Sequence, residues 1–242
     1  MSRDLNTEYQ DTENRLYAYD FDYIHRDYML KALNGQFRPG NALEMGCYHG
    51  EFTKKLLQVF DDVTVLEGAT DLIEVARKNV ADARATFILG RFEDTTLERR
   101  FDNIFLIHTL EHLTEPQPVL KKIREWLAPG GRLFIVVPNA NAASRQIAVS
   151  MGLIDFNAAV TDGERKHGHR CTYSLDTLEH EALQAGLQVT QRGGILFKPM
   201  ANFQFDAALR AGIIDQAFFE GCYKMGMKYP DLTASIYVVC QA

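Results

Sequence analysis

Apolar positions along this chain alternate between short continuous runs and helical spacing, and the alternation begins near residue 41. The runs predict buried strands at residues 41–44, 62–67, 85–89, 101–107, 131–138, 187–196 and 234–240. Helical spacing predicts helices over 70–83 and 119–127, and Ser174 is placed to cap a helix that runs to residue 185. Strands that alternate with helices predict an α/β fold with a parallel sheet.

Three segments fall outside this alternation. Residues 9–33 are rich in tyrosine and predict one or two helices, whereas 139–172 and 197–232 are long insertions around the last strands. We therefore expect an N-terminal helical cap over residues 1–40 and an α/β domain over 41–242 that carries both insertions. Ligands of open α/β sheets bind at the carboxyl ends of the strands, so these segments are expected to determine substrate specificity. The alternative for the tyrosines is packing against the sheet edge.

Composition and charge narrow the choice of partners. The 242 residues are 46% hydrophobic and 24% charged, which is ordinary for a soluble globular protein. A net charge of −6 disfavours nucleic acids and anionic membranes, since both attract a basic face. No apolar run approaches the roughly 18 residues that span a bilayer, and the polar first thirty residues do not resemble a signal peptide. The four cysteines form no CxxC pair. We expect a cytoplasmic protein.

The first strand leads into a glycine-containing loop that precedes a helix. Glu44 closes the strand, and Gly46 and Gly50 follow it in a Glu-x-Gly-x-x-x-Gly pattern. Glycine lets the backbone approach a ligand closely, and the free N–H groups of a helix start favour a negative group. The spacing differs from the Gly-x-Gly-x-x-Gly of dinucleotide-binding proteins, which disfavours a nicotinamide-dependent oxidoreductase.

Later segments also place polar residues directly after a strand. Residues 62–67 end in Glu67, residues 87–94 read Phe-Ile-Leu-Gly-Arg-Phe-Glu-Asp, and residues 101–113 begin with Phe-Asp and end in Leu-Glu-His-Leu. Residues 127–131 read Leu-Ala-Pro-Gly-Gly before the fifth strand. In their order and spacing, these segments resemble the motifs of class I S-adenosylmethionine-dependent methyltransferases, in particular those that act on small molecules.

This resemblance implies a Rossmann-like, seven-stranded, mostly parallel sheet with helices on both faces, an N-terminal helical cap and a C-terminal helical insertion. It also implies S-adenosyl-L-methionine as cofactor, with S-adenosyl-L-homocysteine as product. An ionised Glu67 could accept both ribose hydroxyls, because a carboxylate is acceptor-only. The cofactor-binding positions carried over to this chain are Arg26, Glu44, Gly46, Cys47, Gly50, Glu67, Gly68, Phe92, Glu93 and His108.

Two positions depart from the family pattern. Arg91 stands where the family often has an acid that meets the adenine amino group, and arginine cannot accept a hydrogen bond. We expect Phe92 to pack on the adenine and Glu93 to replace the acid. Tyr48 stands where glycine is common, so its side chain is expected to point away from the cofactor. Arg26 matches an arginine that binds the cofactor carboxylate in ubiquinone-type O-methyltransferases, with a surface arginine as the alternative.

Histidines are the candidates for acid–base chemistry, because their ordinary pKa lies near neutrality. His108 ends the fourth strand and His169 precedes a predicted helix, and both are predicted to be catalytic. The substrate is expected to contact Arg170, which could hold an anionic group, and two N-terminal tyrosines, Tyr17 and Tyr19.

A metal is the alternative for the His-x-His pair, His167 and His169. Metal-dependent methyltransferases use clustered acidic ligands beside the fourth and fifth strands, and the sequence shows no such cluster. We therefore expect no metal ion.

The predicted activity is methyl transfer to a hydroxyl of a small molecule, such as a sugar, a polysaccharide precursor or a secondary metabolite. N-methylation of a small amine, for example an amino sugar, is the alternative enzyme activity. A catalytically silent protein that binds the cofactor or a partner is the alternative from another class. The Asn/Asp-Pro-Pro-Tyr motif of base-methylating enzymes is missing after the fourth strand, where His108-Thr-Leu stands. A homodimer stays an open alternative.

Overall fold

A computed structural model describes residues 5–6 and 19–242 of the chain. Its centre is a seven-stranded sheet whose strands lie where the apolar runs predict them. The strands are β1 (Ala42–Met45), β2 (Val63–Glu67), β3 (Ala85–Leu89), β4 (Phe101–Ile107), β5 (Leu127–Pro138), β6 (Gln188–Phe197) and β7 (Thr233–Gln241).

The sheet has the order β3-β2-β1-β4-β5-β7-β6, and β7 runs antiparallel to both of its neighbours. The predicted mostly parallel, Rossmann-like architecture is therefore confirmed. The order reverses direction between β1 and β4, which is the switch point where open α/β sheets bind ligands.

One strand starts earlier than predicted. The segment Pro129-Gly130-Gly131 reads as a turn, but β5 already begins at Leu127, which pairs with Phe101. A shift of register between Phe101 and Asn103 accommodates the extra residues, as in a β-bulge.

Helices cover both faces of the sheet. They are α1 (Asp20–Leu33), α2 (Glu51–Leu56), α3 (Thr70–Val80), α4 (Pro116–Trp126), α5 (Ala143–Ser150), α6 (Asp162–Lys166), α7 (Leu175–Gln184), α8 (Asn202–Arg210) and α9 (Gln216–Lys228). Short 3₁₀ turns occupy Asn34–Gln36, Leu110–His112 and Pro230–Leu232. Ser174 caps α7 as predicted, since its hydroxyl accepts the Thr177 N–H.

The core forms two hydrophobic clusters, one on each face of the sheet. Side chains alternate between the faces along a strand, so Phe105 of β4 joins one cluster while Ile104 and Leu106 join the other. Phe105 stacks on Phe134 of β5 with ring centroids 4.8 Å apart. The central strands are thereby rigid supports for the residues that follow them.

Helix α1 is fixed in place by the insertion at 197–232. The buried carboxylate of Asp206 in α8 accepts the backbone N–H groups of Asp20 and Phe21 at 3.1 and 3.0 Å. These are free N–H groups of the first turn of α1, which favour a negative partner. The described part of the N-terminal segment is thus joined to α8 above the sheet. Within residues 5–6 and 19–242, no helix has the length and apolar character needed to cross a bilayer.

Candidate active site

A cavity of about 440 Å³ opens at the carboxyl ends of β1, β2 and β4, beneath α1. This volume is typical of small-molecule sites. Most of the residues that the sequence predicts for the site line this cavity: Tyr19, Arg26, Glu44, Gly46, Cys47, Glu67, Gly68, Phe92, Glu93, His108 and His169.

The loop after β1 brings backbone close to the cavity. Gly46 has φ +78°, and a Cβ there would lie 2.8 Å from Thr109 Oγ1. The Thr109 hydroxyl is within 3.1 Å of the carbonyl oxygens of Met45 and Ile107, so it joins the ends of β1 and β4. Gly46 is therefore required by its conformation and by the space that it leaves.

Gly50 was predicted to bind the cofactor, but it lies outside the wall of the cavity. It caps α2 with φ +85°, and a Cβ there would lie 2.6 Å from Val80 of α3. It is absent from the cavity wall, so its role in the structure is to let α2 start against α3. The neighbouring Tyr48 also has positive φ, and its ring stacks on His49 with centroids 3.8 Å apart while lining the cavity.

Two buried acids face each other across the loop. The Thr53 hydroxyl donates to Glu44 at 2.5 Å, yet burial raises the pKa of Glu44 to about 8. Glu67 accepts the N–H groups of Cys47 and Ala69 at 3.1 and 2.9 Å, and burial raises its pKa as well. Its Oε2 also lies 3.9 Å from the Cys47 thiol. A carboxylate has about four lone-pair sites, so these contacts leave Glu67 limited room to accept a ligand hydroxyl.

The loop after β3 forms a second wall. Phe92 and Glu93 line the cavity, and Phe92 Cζ lies 3.7 Å from the place where a Cβ on Gly46 would stand. The Glu93 carboxylate lies 3.8 Å from Arg91 Nε. An apolar ring beside an acid suits a flat base with an amino group.

Arg26 reaches the cavity from α1. Its Nη1 is buried and has no hydrogen-bond partner, and its guanidinium lies 5.5 Å from the centre of the Tyr23 ring. A buried unpaired donor is costly, so this group suits an anionic ligand. The surface alternative for Arg26 is not what the structure shows.

His108 follows β4 with an uncommon φ of +48°. Its Nε2 lies 2.8 Å from the Ser235 hydroxyl, and its ring is 6.0 Å from that of His25. Burial holds the pKa of His108 well below its ordinary value. The ring is therefore neutral near pH 7, and the same burial makes it a weaker base than an exposed histidine.

His169 belongs to a cluster with Glu111 and His112, which follow β4. One ligand atom from each of the three residues lies within 4.8 Å of the others. Both Glu111 carboxylate oxygens are buried without a hydrogen-bond partner, and burial raises the pKa of Glu111 to about 8. Burial also lowers the pKa of His169 to about 4.

One carboxylate and two imidazoles are a donor set that binds divalent transition metals. The expectation that no metal binds relied on the lack of an acidic cluster. The structure instead assembles a mixed cluster from the adjacent Glu111 and His112 and the distant His169.

The comparisons with known proteins place the chain in a family. A family model described as a methyltransferase domain matches residues 14–192. The chain belongs to the class I S-adenosylmethionine-dependent methyltransferases.

Relatives and solved structures agree with this methyltransferase assignment. Over 179 residues the chain is 25% identical to the ubiquinone biosynthesis O-methyltransferase of Xanthomonas axonopodis pv. citri, covering 72% of this chain and 74% of that one. It is 28% identical over 162 residues to the same-named protein of Hydrogenovibrio crunogenus, covering 65% and 66%. The fold matches the N-methyltransferase NodS of Bradyrhizobium japonicum, solved with S-adenosyl-L-homocysteine, with TM-score 0.59, 16% identity and 97% of both chains covered.

The cavity of this methyltransferase fits S-adenosylmethionine. Gly46 leaves room that a Cβ would fill, Glu67 presents a carboxylate at the end of β2, and Arg26 has an unpaired buried donor. These groups suit the backbone approach, the ribose hydroxyls and the carboxylate of the cofactor. We infer that they hold it, as the motifs predict.

Some predicted substrate residues lie elsewhere. The Arg170 side chain is exposed and does not line the cavity, although its N–H donates to the Glu111 carbonyl at 2.8 Å. Tyr17 lies outside the described residues, whereas Tyr19 lines the cavity at the start of α1.

The cavity also contains His25 and Asn202, which were not predicted for the site, and Lys198, which was expected to line the acceptor cavity from the exit of β6. Their one sequence signal is their position in the cap and the insertion, where specificity was expected.

Proposed function

We propose that this methyltransferase transfers a methyl group to a hydroxyl of a small molecule. The observation that carries the proposal is His108, whose ring lies 2.8 Å from the Ser235 hydroxyl and lines the same cavity as the residues of the cofactor loop. A hydroxyl is a weak nucleophile and benefits from a base within hydrogen-bond reach. The names of the curated relatives, ubiquinone biosynthesis O-methyltransferases, support the same acceptor atom.

We assign each residue a role from its position in the cavity. When bound, S-adenosylmethionine supplies an electrophilic methyl group, so the protein mainly provides orientation and electrostatics. Glu44, Glu67 and Arg26 orient the cofactor. His108 takes the proton that the acceptor hydroxyl loses, and the Ser235 contact holds its ring in place. Helix α1 contributes His25, Arg26 and Met29 to the wall of the cavity.

His169 is proposed to act with Glu111 and His112. A divalent ion held by these three side chains would bind the acceptor oxygen and lower the pKa of its hydroxyl. In the absence of an ion, the neutral His169 ring would accept a hydrogen bond from the acceptor, while His108 remains the base. Either role keeps His169 on the acceptor side of the site.

The test is methyl transfer from cofactor labelled in its methyl group, with a panel of sugars, phenols and amines. We expect a labelled product whose methyl group mass spectrometry and NMR assign to oxygen. We also expect His108→Ala to slow turnover by about 10²–10⁴-fold when the cofactor is saturating. Methylation on nitrogen that His108→Ala leaves intact would support the amine alternative and refute the proposal.

A further inference from the structure

Lys198 places a cation in the cavity at the end of β6. Its backbone is fixed, since its N–H donates to the Leu232 carbonyl at 3.3 Å and its carbonyl accepts the Ser144 N–H at 2.7 Å. The ammonium lies 5.3 Å from the centre of the Phe21 ring. No hydrogen bond or ion pair joins it to any residue in the described part of the chain.

The carboxylates near Lys198 are engaged by other groups, so the positive charge of Lys198 is only partly balanced. Burial lowers its pKa to about 8, although the carboxylates of Asp22 and Glu164 act in the opposite direction. Asp22 is already engaged by the Tyr19 N–H at 2.8 Å and the Asn202 amide at 3.0 Å. Glu164 is paired with Arg145 at 2.6 Å. A further anion beside Lys198 would stabilise its charge.

Asn202 presents an acceptor to the same space. Its Nδ2 donates to Asp22, which fixes the orientation of the amide, and its Oδ1 is buried without a partner. An unpaired buried carbonyl costs free energy unless a ligand donor meets it.

His25 presents a second acceptor. Its ring hydrogen-bonds the Ile195 backbone, and burial lowers its pKa to about 3, so the ring is neutral. Its Nε2 is buried and unpaired. The ring centroid lies 5.4 Å from that of Phe21, the residue beside which Lys198 also lies.

We propose that Lys198, Asn202 and His25 form a subsite for a hydroxylated acid. Lys198 holds the carboxylate or phosphate of the methyl acceptor, while Asn202 Oδ1 and His25 Nε2 accept hydrogens from its hydroxyl groups. The three side chains come from α1, the end of β6 and α8, apart from the loops that hold the cofactor. This inference rests on the proposed function, because it names the chemical class of the acceptor.

The experiment measures binding to protein saturated with S-adenosyl-L-homocysteine. Calorimetry compares acids with neutral partners of related shape: protocatechuate with catechol, glucuronate with glucose, and glycerol phosphate with glycerol. The pairs distinguish an aromatic acid, a sugar acid and a phosphate. Loss of a hydrogen-bonded charge typically changes affinity by about tenfold or more.

In at least one pair we expect the acid to bind about tenfold more tightly than its neutral partner. Lys198→Met should reduce that ratio below about twofold, and Lys198→Arg should largely keep it. Asn202→Leu should weaken both members of the pair alike. Lys228→Met, a change at an exposed lysine of α9, serves as the control and should leave the ratio unchanged.

The inference fails if every acid binds no better than its neutral partner, or if Lys198→Met leaves the ratio as it was. S-adenosyl-L-homocysteine binding in every variant shows that the cavity is folded. If the wild-type protein does not bind that compound, the proposed function itself fails, and the subsite fails with it.

Discussion

At the scale of single residues, Gly46 determines whether the cofactor loop can form. Its φ is +78° and its missing Cβ leaves room beside Thr109. Gly46→Ala should destabilise the fold by about 2–4 kcal/mol, from strain and overpacking together, and abolish S-adenosyl-L-homocysteine binding. Gly212→Ala is the matched control, because Gly212 has φ +65° with nothing within 4 Å of its Cβ position. Equal effects of the two changes on binding would contradict this role.

Glu111 should make stability depend on pH. Its folded pKa is about 8 against an ordinary value of 4.5, so the folded state binds more protons between these values and unfolding becomes easier as pH rises. The buried His25 and His169 act oppositely, but only below pH 6.5. Glu111→Gln should therefore reduce the decline between pH 6.5 and 8 by up to about 1.4 kcal/mol per pH unit.

Urea unfolding at a series of pH values, with a chelator present, measures this slope. Glu44 adds to the same decline in wild type and in the variant. Glu125→Gln, at an exposed position of α4, is the control. Parallel profiles for wild type and Glu111→Gln would show that Glu111 ionises normally.

The sequence predicts the cofactor residues better than the acceptor residues, for a physical reason. Glu44, Gly46 and Glu67 lie within or directly after buried strands, and the continuous apolar runs of those strands can be located in the sequence. His25 and Lys198 come close only because α1 packs against the end of β6, and no local pattern in the sequence predicts such a tertiary contact. Gly50 has the expected conformation but serves the packing of α2 on α3.

At the scale of elements, Asp206 ties α8 to α1. Asp206→Ala should cost about 1.5–3 kcal/mol, because it removes a charged acceptor from two helix N–H groups. Amide exchange in α1 should accelerate, since the helix loses its anchor. Asp215→Ala removes a comparable cap from α9, where Asp215 accepts the Phe218 N–H at 3.1 Å. Unchanged exchange in α1, or the same acceleration with Asp215→Ala, would contradict the anchor.

The cluster of Glu111, His112 and His169 joins the exit of β4 to the 139–172 insertion. Titration with Co²⁺ should give visible absorption bands and one bound ion per chain, because the ligand set resembles that of zinc sites. Glu111→Gln and His169→Ala should abolish the bands, whereas His180→Ala, on an exposed face of α7, should not. Spectra that match free Co²⁺ in the wild type would refute a metal role.

The elements themselves were largely foreseen, because apolar runs and helical spacing are local properties. The seven strands are confirmed, and the start of β5 was missed since a Pro-Gly-Gly segment reads as a turn although the chain pairs through it. The cluster of Glu111, His112 and His169 was not foreseen, because Glu111 and His112 lie in the loop after β4 whereas His169 lies in a distant loop that the fold brings beside them.

At the scale of the whole molecule, a cavity lies between the sheet and α1. We propose that the loops after β1, β2 and β3 hold the cofactor together with Arg26 of α1, and that His25 of α1 and the two insertions hold the acceptor. Because the two sets of residues share only α1 and otherwise lie on different elements, the acceptor-binding residues can change without changing the cofactor-binding motif. This arrangement also predicts that cofactor binding persists in variants of Lys198.

The central claim is that Glu67 and its loop bind S-adenosylmethionine. Calorimetric titration of the wild type with S-adenosyl-L-homocysteine should show one site with a Kd on the order of micromolar. Glu67→Gln should weaken binding by about tenfold or more, while Glu74→Gln, at an exposed position of α3, should not. Absence of binding in the wild type, or equal binding in Glu67→Gln, would contradict the account.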